Sequence, residues 1–245
     1  MTASRPNYLG VLGGMGPLAG AAFALRLAAL TPAATDQQHI PTLLRNDPRI
    51  PDRSDARMRG GEDPLPHMVE GLRFLEAAGA SIIAIPCNTA HLWYDQLAAA
   101  TTLPILHIID AVAQDLQRLG LQGGRIGLMG TPATLALGLY QARLQRHGFE
   151  CIVPDAGEIE RYCAAPIRAV KGNQVASALA PAVRGVQLLQ ARGADAVVLG
   201  CTELPLAIPH DQRIGLGVPV TDSIDALARA AIDQYFQEPL QRKAA

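Results

Sequence analysis

The chain has 245 residues, a formal net charge of −1, 49% hydrophobic residues and 18% charged residues. That length fits one large domain or two of roughly 120 residues each, with enough chain to bury a real core. The near-zero charge leaves no electrostatic case for nucleic acid or an anionic membrane surface, and no apolar run reaches the ~18 residues needed to span a bilayer.

The opening segment "MTASRPNYLGVLGG" lacks a basic stretch ahead of a long apolar core, so no signal peptide is expected. Within it "YLGVLGG" reads as a short buried strand ending in glycines, and "PLAGAAFALRLAAL" as the helix that follows. "IPTLLRN" is a second strand, and "RNDPRIPDRSD" a Pro/Asp-rich loop after it. "DPLPHMVEGLRFLEAAG" has helical apolar spacing and ends at Gly79, a common helix stop. "ASIIAIPC" is a continuous apolar strand, as in a sheet covered on both faces. "NTAHLWYDQLAAA" reads as a helix, "LPILHII" as a strand and "DAVAQDLQRLG" as a helix. The second half repeats the alternation. "RIGLMG", "FECIVPD", "ADAVVLGC" and "VPVTD" read as strands. "PATLALGLYQARLQRHG", "NQVASALAPAVRGVQLLQARG" and "IDALARAAIDQYF" read as helices. Strands alternating with helices predict an α/β fold with mostly parallel sheets flanked by helices.

The halves also resemble each other. "GASIIAIPCNTAH" (79–91) matches "GADAVVLGCTELP" (193–205) at an offset of 114, and "LPILHIIDAV" (103–112) matches "VPVTDSIDAL" (218–227) at 115. "GVLGG" (10–14) matches "GLMGT" (127–131) at 117. Any two βα units share an apolar strand and a small residue, but the Cys and the Ile-Asp-Ala are not generic. Two pseudo-symmetric α/β lobes are therefore expected, one from residues 1–109 plus 219–245 and the other from 110–218, with a site in the cleft between them.

The four cysteines are Cys87, Cys151, Cys163 and Cys201, and none forms a Cys-x-x-Cys pair. Free thiols in a cytoplasmic protein are the expectation. A lone strand-end cysteine is ordinarily a packed core thiol. The repeat changes that reading, because Cys87 and Cys201 fall at equivalent strand ends, where open α/β sheets bind ligands. Two thiols on opposite faces of one carbon can act as base and acid. One removes a proton and the other delivers one, so the carbon inverts with no cofactor. Each is followed by a helix start, whose backbone N–H groups favour negative charge. Asn88, Thr89 and Thr202 add side-chain donors. Cys151 and Cys163 have no repeat partner and read as structural.

Other features are weaker. Cys87 and His91 could be two metal ligands, but no third and fourth stand at metal spacing, so no metal is expected. "GGMGPLAG" departs from the dinucleotide and P-loop fingerprints and suits close backbone approach to a small ligand. Arg53 and Lys171 are either solvated loop charges or carboxylate holders, Arg as a fork and Lys as a point charge.

Taken together, "GVLGGMGPLA", "TPAATDQQHIP", "NDPRIPDRSD", "PCNTAH", "IRAVKGN" and "GCTELP" resemble the aspartate racemases of the aspartate/glutamate racemase superfamily, over about residues 8 to 230. The resemblance implies two similar α/β lobes, cofactor-independent two-base racemisation and a homodimer. It places the motif cysteines on Cys87 and Cys201 and the carboxylate-binding cations on Arg53 and Lys171. Substrate-cradling positions fall on Met15, Asn88, Thr89, Thr131 and Thr202. "VKGN" is one residue shorter than the family's form of that stretch. Two cations suit a substrate with two carboxylates, which agrees with aspartate, a small-molecule amino acid. The alternatives are a broad-specificity amino-acid racemase, a maleate cis-trans isomerase on the same fold, and a non-enzymatic dicarboxylate-binding protein.

Overall fold

A computed structural model describes residues 7–243; residues 1–6 and 244–245, the outer ends of the expected first lobe, lie outside the described residues. The first half runs β1 (Tyr8–Gly13), α1 (Pro17–Leu30), β2 (Thr42–Asn46), α2 (Arg53–Arg59), α3 (Leu65–Ala77), β3 (Ala80–Ala84), α4 (Tyr94–Ala99) and α5 (Ile108–Arg118). The second half opens with β4 (Gly124–Met129), α6 (Pro132–Ala136), α7 (Leu139–Arg146), β5 (Phe149–Ile152), α8 (Ala156–Ile159), α9 (Ala165–Lys171) and α10 (Val175–Ala191). It closes with β6 (Ala196–Leu199), α11 (Leu204–Ala207), α12 (His210–Arg213), β7 (Val220–Asp222) and α13 (Ser223–Lys243).

Two parallel sheets result, ordered β2-β1-β3 and β5-β4-β6-β7. β1, β3 and β6 are buried along almost their whole length, as a continuous apolar run requires. One apolar cluster joins the two halves: Leu9, Val11 and Ile82 share it with Ile126, Leu128 and Val198 through α1, α5 and α13. Each such aliphatic side chain contributes roughly 1.5–3 kcal/mol on burial.

The repeat reappears in hydrogen bonding. The Ile83 N–H donates to the Pro104 carbonyl at 2.9 Å, and the Val197 N–H to the Pro219 carbonyl, also at 2.9 Å. A reciprocal pair of ion pairs also links the two Ile-Asp-Ala helices to the opposite halves. Arg26 of α1 forks onto Asp225 of α13 (2.6 and 2.7 Å), and Arg143 of α7 forks onto Asp110 of α5 (2.7 and 2.9 Å).

Four local expectations change. "LPILHII" is not a strand: it makes a single bridge, Ile83 to Ile105, before α5 begins at Ile108, capped by the His107 ring. "PATLALGLYQARLQRHG" is two helices, because Gly138 turns into the left-handed region (φ 67°) between α6 and α7. The loop "RNDPRIPDRSD" ends inside α2, since Asp52 caps it by accepting the Asp55 N–H at 2.8 Å. Residues 156–171, unassigned from sequence, form α8, a π-helical turn (Glu160–Ala164) and α9. We propose the division at 109/110 and 218/219 as one into lobes, distinct from the two halves of the chain; β7, in the segment given to the first lobe, hydrogen-bonds to β6 of the second sheet.

Candidate active site

The carboxyl ends of β1, β3, β4 and β6 converge on one narrow, nearly closed cleft of about 10 Å³. All nine residues singled out from sequence line it: Met15, Arg53, Cys87, Asn88, Thr89, Thr131, Lys171, Cys201 and Thr202. Asp52, Ser54 and Glu203 line it too. The cleft shares Asp52, Arg53, Lys171 and Glu203 with a wider outer chamber, whose walls include Leu18, Pro48, Ile50 and Val170.

Cys87 follows β3 by three residues and Cys201 follows β6 by two; both are buried. Their surroundings differ. Cys201 Sγ donates to Glu203 Oε2 at 3.0 Å, and Thr202 Oγ1 reaches the same oxygen at 3.4 Å. Burial first, and the Glu203 carboxylate second, push the Cys201 thiol well above its ordinary value. The loop carrying Cys87 is held differently. His91 Nδ1 donates to the Cys87 carbonyl at 2.9 Å while its Nε2 accepts the Ile108 N–H at 3.2 Å. Both ring nitrogens are thereby committed, so the Cys87/His91 spacing serves a strut between this loop and α5. Burial drives the His91 pKa down to about 4, which keeps the ring neutral. The helix start expected after Cys87 is a 3₁₀ turn, Thr89–Trp93, and that after Cys201 is the four-residue α11.

The amide of Asn88 is largely engaged by the protein. Its Nδ2 donates to Ser223 Oγ at 2.8 Å and its Oδ1 accepts from Tyr140 Oη at 2.6 Å. Thr89 Oγ1 meets the hydroxyls of Thr131 and Thr134 at 3.1 and 3.0 Å, joining the two halves at the floor of the site. Thr131 is also the N-cap of α6. Met15 packs into the core cluster that also holds Cys87.

The two cations enter from opposite halves, on α2 and α9. Arg53 is buried, with Nη1 donating to the Ile50 and Pro51 carbonyls and Nε left without a partner. Lys171, with 35% of its side chain exposed, stands 3.9 Å from the Asp52 carboxylate. Burial works against its charge, but Glu203 and Cys201 outweigh it and the Lys171 pKa lies above the usual value. Sequence reasoning missed Glu203 as a site residue, although "GCTELP" placed it two residues from Cys201. Cys163 is buried and Cys151 half-buried; burial raises both thiols to about 11, away from the cleft.

An anionic or zwitterionic ligand fits this arrangement: two thiols from equivalent strand ends, two cations from opposite halves, and a carboxylate beside one thiol. Residues 12–231 match the Asp/Glu/hydantoin racemase family. The chain is 28% identical to a broad-specificity amino-acid racemase, RacX, of Bacillus subtilis over 174 residues, 69% of this chain and 71% of that one. It is 30% identical to a glutamate racemase of Shewanella woodyi over 185 residues, 71% of this chain and 66% of that one. Its structure superposes on a Picrophilus torridus aspartate racemase with a TM-score of 0.82 at 32% identity, covering 94% of each chain.

Proposed function

The chain belongs to the Asp/Glu/hydantoin racemase family and is an isomerase of that kind; we propose that it interconverts L- and D-aspartate by a two-base mechanism. One observation carries this reading: Cys87 and Cys201, at equivalent strand ends of the two halves, line one cleft with two cations. One cysteine, as thiolate, removes the α-proton from one face, and the other, as thiol, protonates the opposite face. Arg53 and Lys171 hold the two carboxylates and draw charge from the developing carbanion. The reaction needs no cofactor. The proposal extends to a cytoplasmic homodimer; among the described residues no helix is long and apolar enough to cross a membrane.

Chiral chromatography of L-aspartate incubated with the protein, without added pyridoxal phosphate, tests the reading. D-Aspartate should form, and solvent deuterium should enter the α-position. Cys87→Ala and Cys201→Ala should each abolish racemisation; full activity in either variant would sink the two-base mechanism. The outer chamber, with its apolar walls, favours a second reading, a racemase of wider amino-acid range. A panel of L-amino acids separates the two readings, and fumarate formed from maleate would point to the cis-trans isomerase instead.

A further inference from the structure

Two buried side chains that line the cleft, Arg53 and Glu203, each carry a polar atom without a hydrogen-bond partner among the described residues, Arg53 Nε and Glu203 Oε1. One is a cationic donor and the other an anionic acceptor. Leaving either unpaired in a buried place is costly, so both mark places where a ligand completes the structure. Their opposite signs call for a ligand with a carboxylate and a cation together. Glu203 is 3% exposed, and its other oxygen, Oε2, is taken by Cys201. Oε1 points toward the backbone at Gly16, where an added Cβ would lie 3.1 Å away. Lys171, the nearby cation, stands 3.9 Å from Asp52 and is held charged against burial chiefly by Glu203, yet it makes no hydrogen bond to Oε1.

We propose that Glu203 Oε1 receives the substrate's α-ammonium group and selects amino acids over plain dicarboxylates. This inference rests on the racemase reading and adds to it. Arg53 and Lys171 recognise carboxylates, which aspartate, maleate and succinate all possess. Neither can tell an amino acid from its amine-free analogue. Glu203 can, because it offers an ammonium ion a charge-assisted hydrogen bond and leaves a third anionic group repelled. The same carboxylate touches Cys201 through Oε2, so the ammonium and the thiol sit on one rigid group. That fixes the α-carbon relative to the proton-transferring sulfur.

The test compares two ligands that differ only in the amine. Binding of DL-aspartate and of succinate is measured by calorimetry for the wild type, Glu203→Gln and Glu203→Asp. Racemic aspartate keeps turnover from changing the ligand. Glu203→Gln should weaken aspartate roughly 10- to 100-fold, the range for losing a charge-assisted hydrogen bond, and leave succinate unchanged or tighter. Glu203→Asp, which keeps the charge, should retain the preference for aspartate. A merely structural Glu203 would weaken both ligands together, and an unchanged preference in Glu203→Gln overturns the proposal. Should Glu203→Gln not fold, Gly16→Ala crowds the same oxygen without removing its charge and must likewise weaken aspartate more than succinate. A wild type that racemises aspartate while Glu203→Gln keeps its preference defeats this inference alone. A wild type that never racemises aspartate defeats the earlier reading first.

Discussion

Removing one hydroxyl, in Tyr140→Phe, tests how the Cys87 loop is held. Tyr140 is 1% exposed and its Oη donates to Asn88 Oδ1 at 2.6 Å. Asn88 in turn donates to Ser223 at the start of α13, so three segments meet at one amide beside Cys87. Phe keeps the ring packing and deletes the donor. No water competes in so buried a place, so Asn88 Oδ1 loses a bond and stays desolvated. Stranding a buried acceptor costs about 1–3 kcal/mol. For a chain of this length each kcal/mol moves the midpoint by about 2–4 °C, so the expected fall is roughly 2–12 °C. The control is Tyr94→Phe. Tyr94 Oη donates to the Ile105 carbonyl at 3.0 Å but is part-buried, so water can replace it and the loss should stay below about 1 kcal/mol. Calorimetric melting of both variants, with aspartate turnover of each, is the assay. Tyr140→Phe should also slow turnover, because a loosened Asn88 lets the adjacent thiol wander from its reacting geometry. Equal melting points for the two variants, or a Tyr140→Phe protein as stable as wild type, would refute the reasoning.

Gly14 sits at φ 92° with a would-be Cβ 2.1 Å from the Asp47 carbonyl oxygen, so Gly14→Ala should fail to accumulate as soluble protein. Gly60→Ala, at φ 69° with open space, should lose only about 1–2 kcal/mol in urea unfolding. Of the two reciprocal ion pairs, Arg26–Asp225 is the more buried, with Asp225 5% exposed against 34% for Asp110. Arg26→Ala should therefore cost about 1.5 kcal/mol, softened by His210 2.9 Å from Asp225, and Arg143→Ala less than about 1 kcal/mol. Burial opposes ionisation of Asp225, but Arg26 outweighs it and the folded pKa is depressed. Its stabilisation is thus present above the unfolded value, near 3.9, and is lost as pH falls through the lower folded value. Arg26→Ala should accordingly unfold at a higher pH on acid titration. Burial depresses His91 to about 4 and His107 to about 3. The unfolded chain binds these protons first, so stability should drop as pH falls from about 6.5 toward 4, by on the order of 3 kcal/mol for His91. Chemical denaturation of His91→Gln across that range should show a shallower slope; an identical slope would contradict the buried neutral ring.

Strong local signals made most elements readable. α1 covers the same fourteen residues as the expected helix, because Pro17 opens it and the apolar run carries it through. β3 and β6 were legible as unbroken apolar runs. The misreadings have physical causes. "LPILHII" has strand composition, yet only Ile105 pairs, since His107 caps a helix that takes Ile108 and Ile109 away. Residues 156–171 carry a readable signal, the capping box of Asp155 and Glu158. Pro166 interrupts that run on paper but sits harmlessly in the first turn of α9. The cysteines were visible because thiols recurring in a repeat are rare; Arg53 and Lys171 were ambiguous from their own chemistry and were placed only by the family resemblance. Glu203 was not, because nothing in "TELP" separates a buried carboxylate aimed at a thiol from a solvated helix-start glutamate.

Internal symmetry accounts for the remaining pattern. The repeat places Asn88 against Thr202 and Thr89 against Glu203, one and two residues after each cysteine. The frame obeys the symmetry: the two proline-carbonyl bonds are of equal length and the Arg–Asp forks are reciprocal. The residues after the thiols break it. Thr89 sits in a neutral hydroxyl cluster with Thr131 and Thr134, whereas Glu203 brings a charge to Cys201. A symmetric pair of thiols suits a planar carbanion, whose two faces are attacked alike. Its substituents are not alike: in the proposed substrate one position carries the amine, one the α-carboxylate and one the carboxymethyl side chain. A site with matched thiols and unmatched neighbours meets both demands, and places the break in symmetry where the amine must be told from a carboxylate.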